Sequence, residues 1–129
     1  MPFAAFSATV DIIPGSQAFV VYGTFTLGAG GAFNPLTDPL TVTLNAASVT
    51  IPGGSFRAYY GRFVFADVLN GELVESILVP LGRGRYVYEV GVAGVPNLPT
   101  GNPVTVTLTA GNNTGSMTVT ATFVYPSEQ

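Results

Sequence analysis

The stretch from Asn102 to Tyr125 constrains the fold most, because it spells two strands joined by a tight turn. Apolar residues at 104, 106, 108 and 110 alternate with threonines, and the same alternation resumes after the turn at 111–115. A side-chain period of two with β-branched residues indicates a strand, and Asn-Asn-Thr-Gly between two such runs indicates a β-hairpin. One face of the hairpin can be buried. The other is predicted to carry a threonine ladder: Thr105, Thr107, Thr109, Thr118, Thr120 and Thr122.

The period of two recurs along the rest of the chain, at 6–13, 18–27, 40–51, 62–66, 72–81 and 85–92. Gly- and Pro-containing turn signals separate these runs, and no segment places apolar residues three and four apart over helical length. The sequence therefore predicts an all-β fold in a single domain, residues 1–129. We expect a two-sheet β-sandwich, immunoglobulin-like or jelly-roll in topology, with eight to nine strands and no helix.

Two details of these runs concern the backbone path. The apolar positions Leu40, Val42, Leu44 and Ala46 are predicted to face inward together, before a kink ahead of Ser48. Gly23, inside the run 18–27, marks a point of bulging or close packing, because a glycine within a strand often lets another backbone approach.

An internal repeat links residues 27–44 with residues 90–108. Each copy reads as a strand, a loop rich in Gly, Pro and Asn, and a second strand that contains Thr-Val-Thr. Two copies are too few for a solenoid, which needs about three. They fit instead a pair of pseudo-symmetric crossovers, each carrying the chain from one sheet of the sandwich to the other.

Charged residues make up only 9% of the chain, against roughly 25% in an ordinary soluble domain. There is no His, no Cys and no Lys, so nucleophile–base catalysis and zinc-type metal sites lack their usual residues. The four arginines are scattered and the net charge is −3, which disfavours a nucleic-acid partner. We expect no enzyme activity, no catalytic residue and no cofactor, and no apolar run is long enough for a membrane span.

The run 72–79 carries the clearest sign of function. If Val74 and Leu78 face the core, then Leu73, Ile77 and Val79 point outward, so this strand is apolar on both faces. Two outward residues of the second strand, Val20 and Tyr22, extend the pattern. An element buried on both faces needs a cover, which is either another copy of the protein or a terminal segment of the same chain, 1–5 or 124–129. The rarity of charge at sheet edges also favours strand addition between subunits.

Other features leave alternatives open. Exposed Tyr59 or Tyr60, with loop residues such as Asn34 and Asn97 on the loop tips 28–39 and 92–103, would suit carbohydrate binding or adhesion. Carboxylates near Asp38 or Asp67 would suit calcium, although no spaced ligand string is present. Paired acids beside the turn at 70–71 are the only residues that would suit a hydrolase. A flat threonine array would suit ice binding, but the twist of a sandwich sheet disrupts the flat spacing that ice binding needs.

A string of turn motifs resembles an uncharacterised β-rich module of predicted secreted bacterial proteins. The motifs are Gly-Thr-Phe-Thr-Leu-Gly (23–28), Asn-Pro-Leu-Thr-Asp-Pro (34–39), Ile-Pro-Gly-Gly-Ser-Phe (51–56), Gly-Arg-Phe-Val-Phe (61–65), Leu-Asn-Gly (69–71), Pro-Leu-Gly (80–82) and Asn-Pro-Val-Thr-Val-Thr-Leu-Thr (102–109). The resemblance covers about residues 20–125 and implies an immunoglobulin-like secreted sandwich, with no activity or ligand attached. The strand after Asn70-Gly71 departs from that module, in which polar residues alternate outward.

These observations together predict a non-enzymatic extracellular building block. We expect it to self-associate into a filament, coat or surface array through apolar outward strand faces and sheet edges, with a glycan-binding module as the alternative. A secreted or cell-surface location is expected, with any leader already removed.

Overall fold

The computed structural model of the chain describes residues 1–125, which form two packed β-sheets. Its strands are β1 (Ala5–Phe6), β2 (Thr9–Ile13), β3 (Ala18–Thr26), β4 (Leu40–Leu44), β5 (Ala47–Ile51), β6 (Arg57–Tyr59), β7 (Arg62–Leu69), β8 (Glu72–Gly82), β9 (Arg85–Ala93), β10 (Val104–Ala110), β11 (Asn113–Val119) and β12 (Thr122–Phe123). The large sheet has the order β12-β2-β3-β9-β8-β7-β6, with β1 also beside β3, and the small sheet has the order β11-β10-β4-β5. The predicted all-β sandwich is confirmed.

Residues 1–125 form twelve strands rather than eight or nine, because short elements divide runs that look continuous in sequence. The run 6–13 breaks at Ser7-Ala8, and residues 40–51 form a hairpin instead of a kinked strand. Leu44 pairs with Ala47 across a two-residue turn in which Asn45 has φ of 51°. The prediction that Ala46 faces inward was therefore wrong: Ala46 lies exposed in the turn and Ala47 is buried.

The only helical element in the described part of the chain is a 3₁₀ turn, Pro14–Ser16. Within residues 1–125 no helix has the length and hydropathy needed to span a bilayer.

Both copies of the internal repeat cross from the large sheet to the small one. Loop 27–39 joins β3 to β4, and loop 94–103 joins β9 to β10. The strands before the loops, β3 and β9, pair antiparallel in the large sheet, and the strands after them, β4 and β10, pair antiparallel in the small sheet. The repeat therefore builds two crossovers between neighbouring antiparallel strands, and these crossovers lie at opposite ends of the sandwich.

Aromatic rings fill the core at the end of the sandwich where β3 finishes and β9 begins. Phe25 lies at the centre of this cluster, with its ring centroid 4.7 Å from that of Phe3 and 5.1 Å from that of Tyr86. Phe33, from the first crossover loop, packs edge-on against Tyr86 at 5.5 Å. The cluster joins the large sheet, the first crossover loop and the N-terminal segment into one core, because stacked and edge-on rings bury large apolar areas with specific geometry.

Tyr88 ties this core to the break between β1 and β2. The side chain is fully buried, and its hydroxyl donates to the carbonyl oxygen of Ser7 at 2.9 Å. That carbonyl also lies against Gly23, where a Cβ would be only 2.2 Å from the oxygen. Gly23 is thus the place of close backbone packing that the sequence predicts, and the strand break, the glycine and the tyrosine form one structural unit.

Burial raises the pKa of Tyr88 well above its usual value of about 10, and raises that of the half-buried Tyr86 as well. Above pH 10 the unfolded chain releases these protons while the folded chain keeps them. Stability that is fully present below pH 10 is therefore expected to fall as the pH rises further. Urea unfolding at about pH 8 and about pH 11 should show this loss. The loss should shrink in Tyr88→Phe, and an equal loss in that variant would contradict the assignment.

Candidate functional site

The outer faces of the two sheets differ in chemistry. On the small sheet, outward hydroxyls form rows that cross the strands: Ser48, Thr43, Thr107 and Ser116 in one row, Thr50, Thr41, Thr109 and Thr114 in the next, and Thr105 with Thr118 in the third. Within the hairpins these hydroxyls pair at 2.9–3.2 Å. The threonine ladder therefore extends beyond the final hairpin to all four strands. Thr122, by contrast, belongs to the large sheet.

The outer face of the large sheet carries many apolar side chains on its central strands. We define the apolar face by the outward apolar residues of β3, β7, β8 and β9: Val20, Tyr22, Val64, Val68, Leu73, Ile77, Val79 and Val87. Register places them side by side: Leu73 pairs with Val68, Ile77 with Val64, and Val79 with Val87. A contiguous patch of this kind marks an interaction site more often than scattered apolar residues do.

The predicted self-association residues all lie on this face. Leu73 is 49% exposed and Tyr22 is 40% exposed, while Ile77, Val79 and Val20 are half-buried by their neighbours in the sheet. On the other side of the same strand, Val74 and Leu78 are fully buried in the core. The strand β8 therefore presents apolar side chains to both sides, as the sequence predicts.

Sequence reasoning missed three members of the apolar face: Val64, Val68 and Val87. Val68 is 59% exposed and Val87 is 38% exposed. The alternation of side chains could have identified them. β7 turns Phe63 and Phe65 inward, and β9 turns Tyr86 and Tyr88 inward, so the residues between them point outward. The hairpin turns at 70–71 and 83–84 make β7, β8 and β9 consecutive neighbours, so the sequence also indicates that these residues share one surface.

Charged residues lie within and beside the apolar face. Glu89 is exposed between Tyr22 on one side and Ile77 on the other, and the exposed Glu75 lies between Gly91 and Ala66. Arg57, also exposed, pairs with Val64 at the far edge in β6. The acids thus occupy the middle of the face, and an arginine occupies its rim.

The described parts of the termini do not cover the apolar face. Met1 and Phe3 are hydrogen-bonded to Thr114 in β11, so the N-terminal segment lies along the small sheet. At the other terminus, the Val124 amide donates to Ile12, and Tyr125 lies beside Pro14 and Val95 at one end of the sandwich. Residues 126–129, which also belong to the predicted terminal cover, lie outside the described residues.

The large sheet is open along part of one edge. Strand β6 pairs only with residues 62–64 of β7, so among the described residues no strand pairs with this side of 65–69. The Asp67 carboxylate accepts the Val68 amide at 2.7 Å, which satisfies one backbone group there. A groove of about 620 Å³ adjoins this edge, lined in part by Ser55, Arg57 and Ala66.

The residues predicted for ligand binding do not come together. Tyr59 and Tyr60 form an exposed pair in the β6–β7 turn, 53% and 89% exposed, with their ring centroids 4.6 Å apart. Asn34 and Asn97 lie in the two crossover loops, which leave the sandwich at opposite ends. The Asn34 side chain accepts the Leu36 amide and so serves its own loop.

The acids considered for calcium are engaged with the backbone. Asp38 accepts the Asn34 amide at 2.8 Å, and Asp67 accepts the Val68 amide. No group of three or more His, Cys, Asp or Glu side chains placed to hold a metal ion occurs within residues 1–125. These carboxylates cap a loop and a sheet edge.

Comparison of the chain with family models, with curated proteins and with solved structures finds no match in any of the three.

Proposed function

We propose that the protein is a non-enzymatic building block that self-associates through the apolar face. The observation that carries this proposal is the exposure of large apolar side chains on one face of the large sheet. Leu73 lies beside Val68, and Tyr22 and Val87 lie further along the same face. Each fully buried side chain of this kind contributes roughly 1.5–3 kcal/mol relative to exposure. A second copy that covered the face would gain part of this free energy.

Growth beyond a pair needs a second contact, because a closed two-fold contact produces only a dimer. The open edge of β7 supports such a contact. A strand from another subunit can extend the sheet beyond the end of β6 and pair with the backbone of β7 near Ala66. The Val68 amide, two residues further along β7, is already bound by Asp67. Face and edge contacts together would produce the filament, coat or array that we propose, at the surface of or outside the cell.

The proposal predicts that Leu73→Glu weakens self-association by at least tenfold in Kd. Leu73 lies beside Val68 at one end of the face, and a charged side chain buried there against apolar residues costs more than about 1.4 kcal/mol, the free energy of a tenfold change in Kd. Sedimentation velocity over a wide concentration range measures the effect. Leu73 is 49% exposed, so this variant should unfold at the same temperature as the parent protein when dilute.

The matched control is Thr118→Glu, which adds the same charge to the exposed outer face of the small sheet. This variant should associate as the parent protein does. A parent protein that stays monomeric at high concentration overturns the proposal, as does equal association of the two variants.

A second candidate function, carbohydrate binding, is favoured by the exposed pair Tyr59 and Tyr60, because exposed rings can stack on sugars. A glycan array probed with the parent protein and with Tyr60→Ala distinguishes the two functions. A glycan signal that the substitution removes would favour the binding module, and a flat response would remove it.

A further inference from the structure

The charges beside the apolar face suggest how two copies fit together. Glu89 and Arg57 lie in the same cross-strand row, which runs Tyr22, Glu89, Ile77, Val64, Arg57. They are three strands apart, about 14 Å at the spacing of paired strands, and so too far apart to pair within one copy. The row has an acid near one end, a base at the other end, and two apolar residues between them.

We propose that two copies meet face to face about a two-fold axis that runs along the strands between β7 and β8, so that Arg57 of each copy lies over Glu89 of the other. This inference rests on the proposed function and specifies its geometry. A rotation about that axis exchanges the positions of Glu89 and Arg57, so the contact between an arginine and a glutamate occurs twice. Tyr22, the fifth residue of the row, lies outside the paired strands. The occupant of the apolar face is then a second copy of this chain.

The same axis matches the apolar residues. Ile77 of one copy lies over Val64 of the other, and Leu73 lies over Val68. In the next row Val87 lies over Tyr59. Val79 lies over Arg62, whose methylene groups can cover it while the guanidinium reaches water. Glu75 lies over the small residue Ala66, beside the groove at the open edge, where its carboxylate keeps access to water. The strands of two packed sheets cross at about 30°, so the two-fold axis lies about 15° from the strand direction of each copy. The long Arg57 and Glu89 side chains can span the small offset that this tilt produces.

The area involved suits a reversible pair. The contact region spans four strands and four rows of outward residues, about 19 Å by about 27 Å. Its flat area is on the order of 500 Å² in each copy. Standard interfaces bury about 800 Å² per partner, and weak ones bury less than about 600 Å². We therefore expect a dimer whose population depends on concentration.

Charge reversal tests the placement. Arg57→Glu alone and Glu89→Arg alone should each weaken the dimer about tenfold or more, because each creates two like-charge contacts across the axis. The double variant Arg57→Glu/Glu89→Arg restores opposite charges and should return Kd to within about threefold of the parent value. Sedimentation equilibrium at low and high salt measures all four proteins, and salt should weaken the parent dimer and strengthen the single variants.

The control is Arg83→Glu, which changes the net charge as Arg57→Glu does but lies in the turn between β8 and β9. It should leave Kd within about twofold of the parent value. If the parent protein dimerises and Leu73→Glu dissociates it, but the double variant is no tighter than the singles, the two-fold placement is overturned while the apolar contact stands. If the parent protein does not associate, the proposed function itself fails.

Discussion

Replacing Phe25 by alanine is expected to lower the free energy of unfolding by about 4 kcal/mol. The ring is fully buried and contacts Phe3, Phe33, Tyr86 and Tyr88. Truncation of a buried phenylalanine costs about 3–5 kcal/mol, since it removes the transfer free energy and leaves a cavity. For a domain of this size the midpoint of thermal unfolding should fall by about 15 °C. Urea unfolding by circular dichroism measures the change directly.

The matched control for this prediction is Tyr22→Ala in the same strand. Tyr22 is an aromatic residue three positions away, but it faces outward and is 40% exposed. In dilute protein this change should cost less than about 1 kcal/mol. If the two substitutions cost the same, the aromatic cluster is not the centre of the core that the structure describes.

Gly23→Ala is expected to destabilise the protein by about 2–6 kcal/mol, although it adds a single methyl group. The new Cβ would lie 2.2 Å from the Ser7 carbonyl oxygen and 2.8 Å from its carbon, so backbone must move. Overpacking of this kind costs about 1–3 kcal/mol. Moving the Ser7 carbonyl also removes the acceptor of the buried Tyr88 hydroxyl, which adds about 1–3 kcal/mol. Urea unfolding again measures the change.

Gly91→Ala is the control for Gly23→Ala. Gly91 lies in β9, the strand paired with β3, and a Cβ there would meet only the Val20 side chain at 3.8 Å, an ordinary contact. This substitution should be neutral or slightly stabilising, because alanine reduces the entropy of the unfolded chain. A Gly23→Ala protein as stable as Gly91→Ala would show that the Ser7 backbone moves aside freely.

The strands and their faces were predictable because side chains in a strand alternate strictly. Val74 and Leu78 turn inward for the same reason that Leu73 and Ile77 turn outward, and no long-range information is needed. The short breaks were not predictable in this way. At Asn45 the turn depends on a left-handed conformation that asparagine adopts only in some contexts, so the alternation alone pointed to a continuous strand.

The composition of the candidate site could be predicted only in part. Val68 and Val64 become neighbours of Leu73 and Ile77 through the Asn70-Gly71 turn, which the sequence indicates. Three hairpin pairings, between residues 7 to 13 positions apart, place Glu89 and Arg57 in one row. The pairing of β3 with β9, which adds Tyr22 from 67 positions away, is a long-range property that no local turn signals. Local patterns therefore identify the face of each strand, and the tertiary fold assembles the surface.

The hydroxyl rows of the small sheet have a consequence for any assembly of this protein. When two copies bury their valine and leucine surfaces against each other, both exteriors of the pair are lined by threonine and serine, which water solvates well. Such a dimer has no exposed apolar face left against which another layer could stack. Its thickness would stop at two molecules, and any extension would run sideways as a thin ribbon or film.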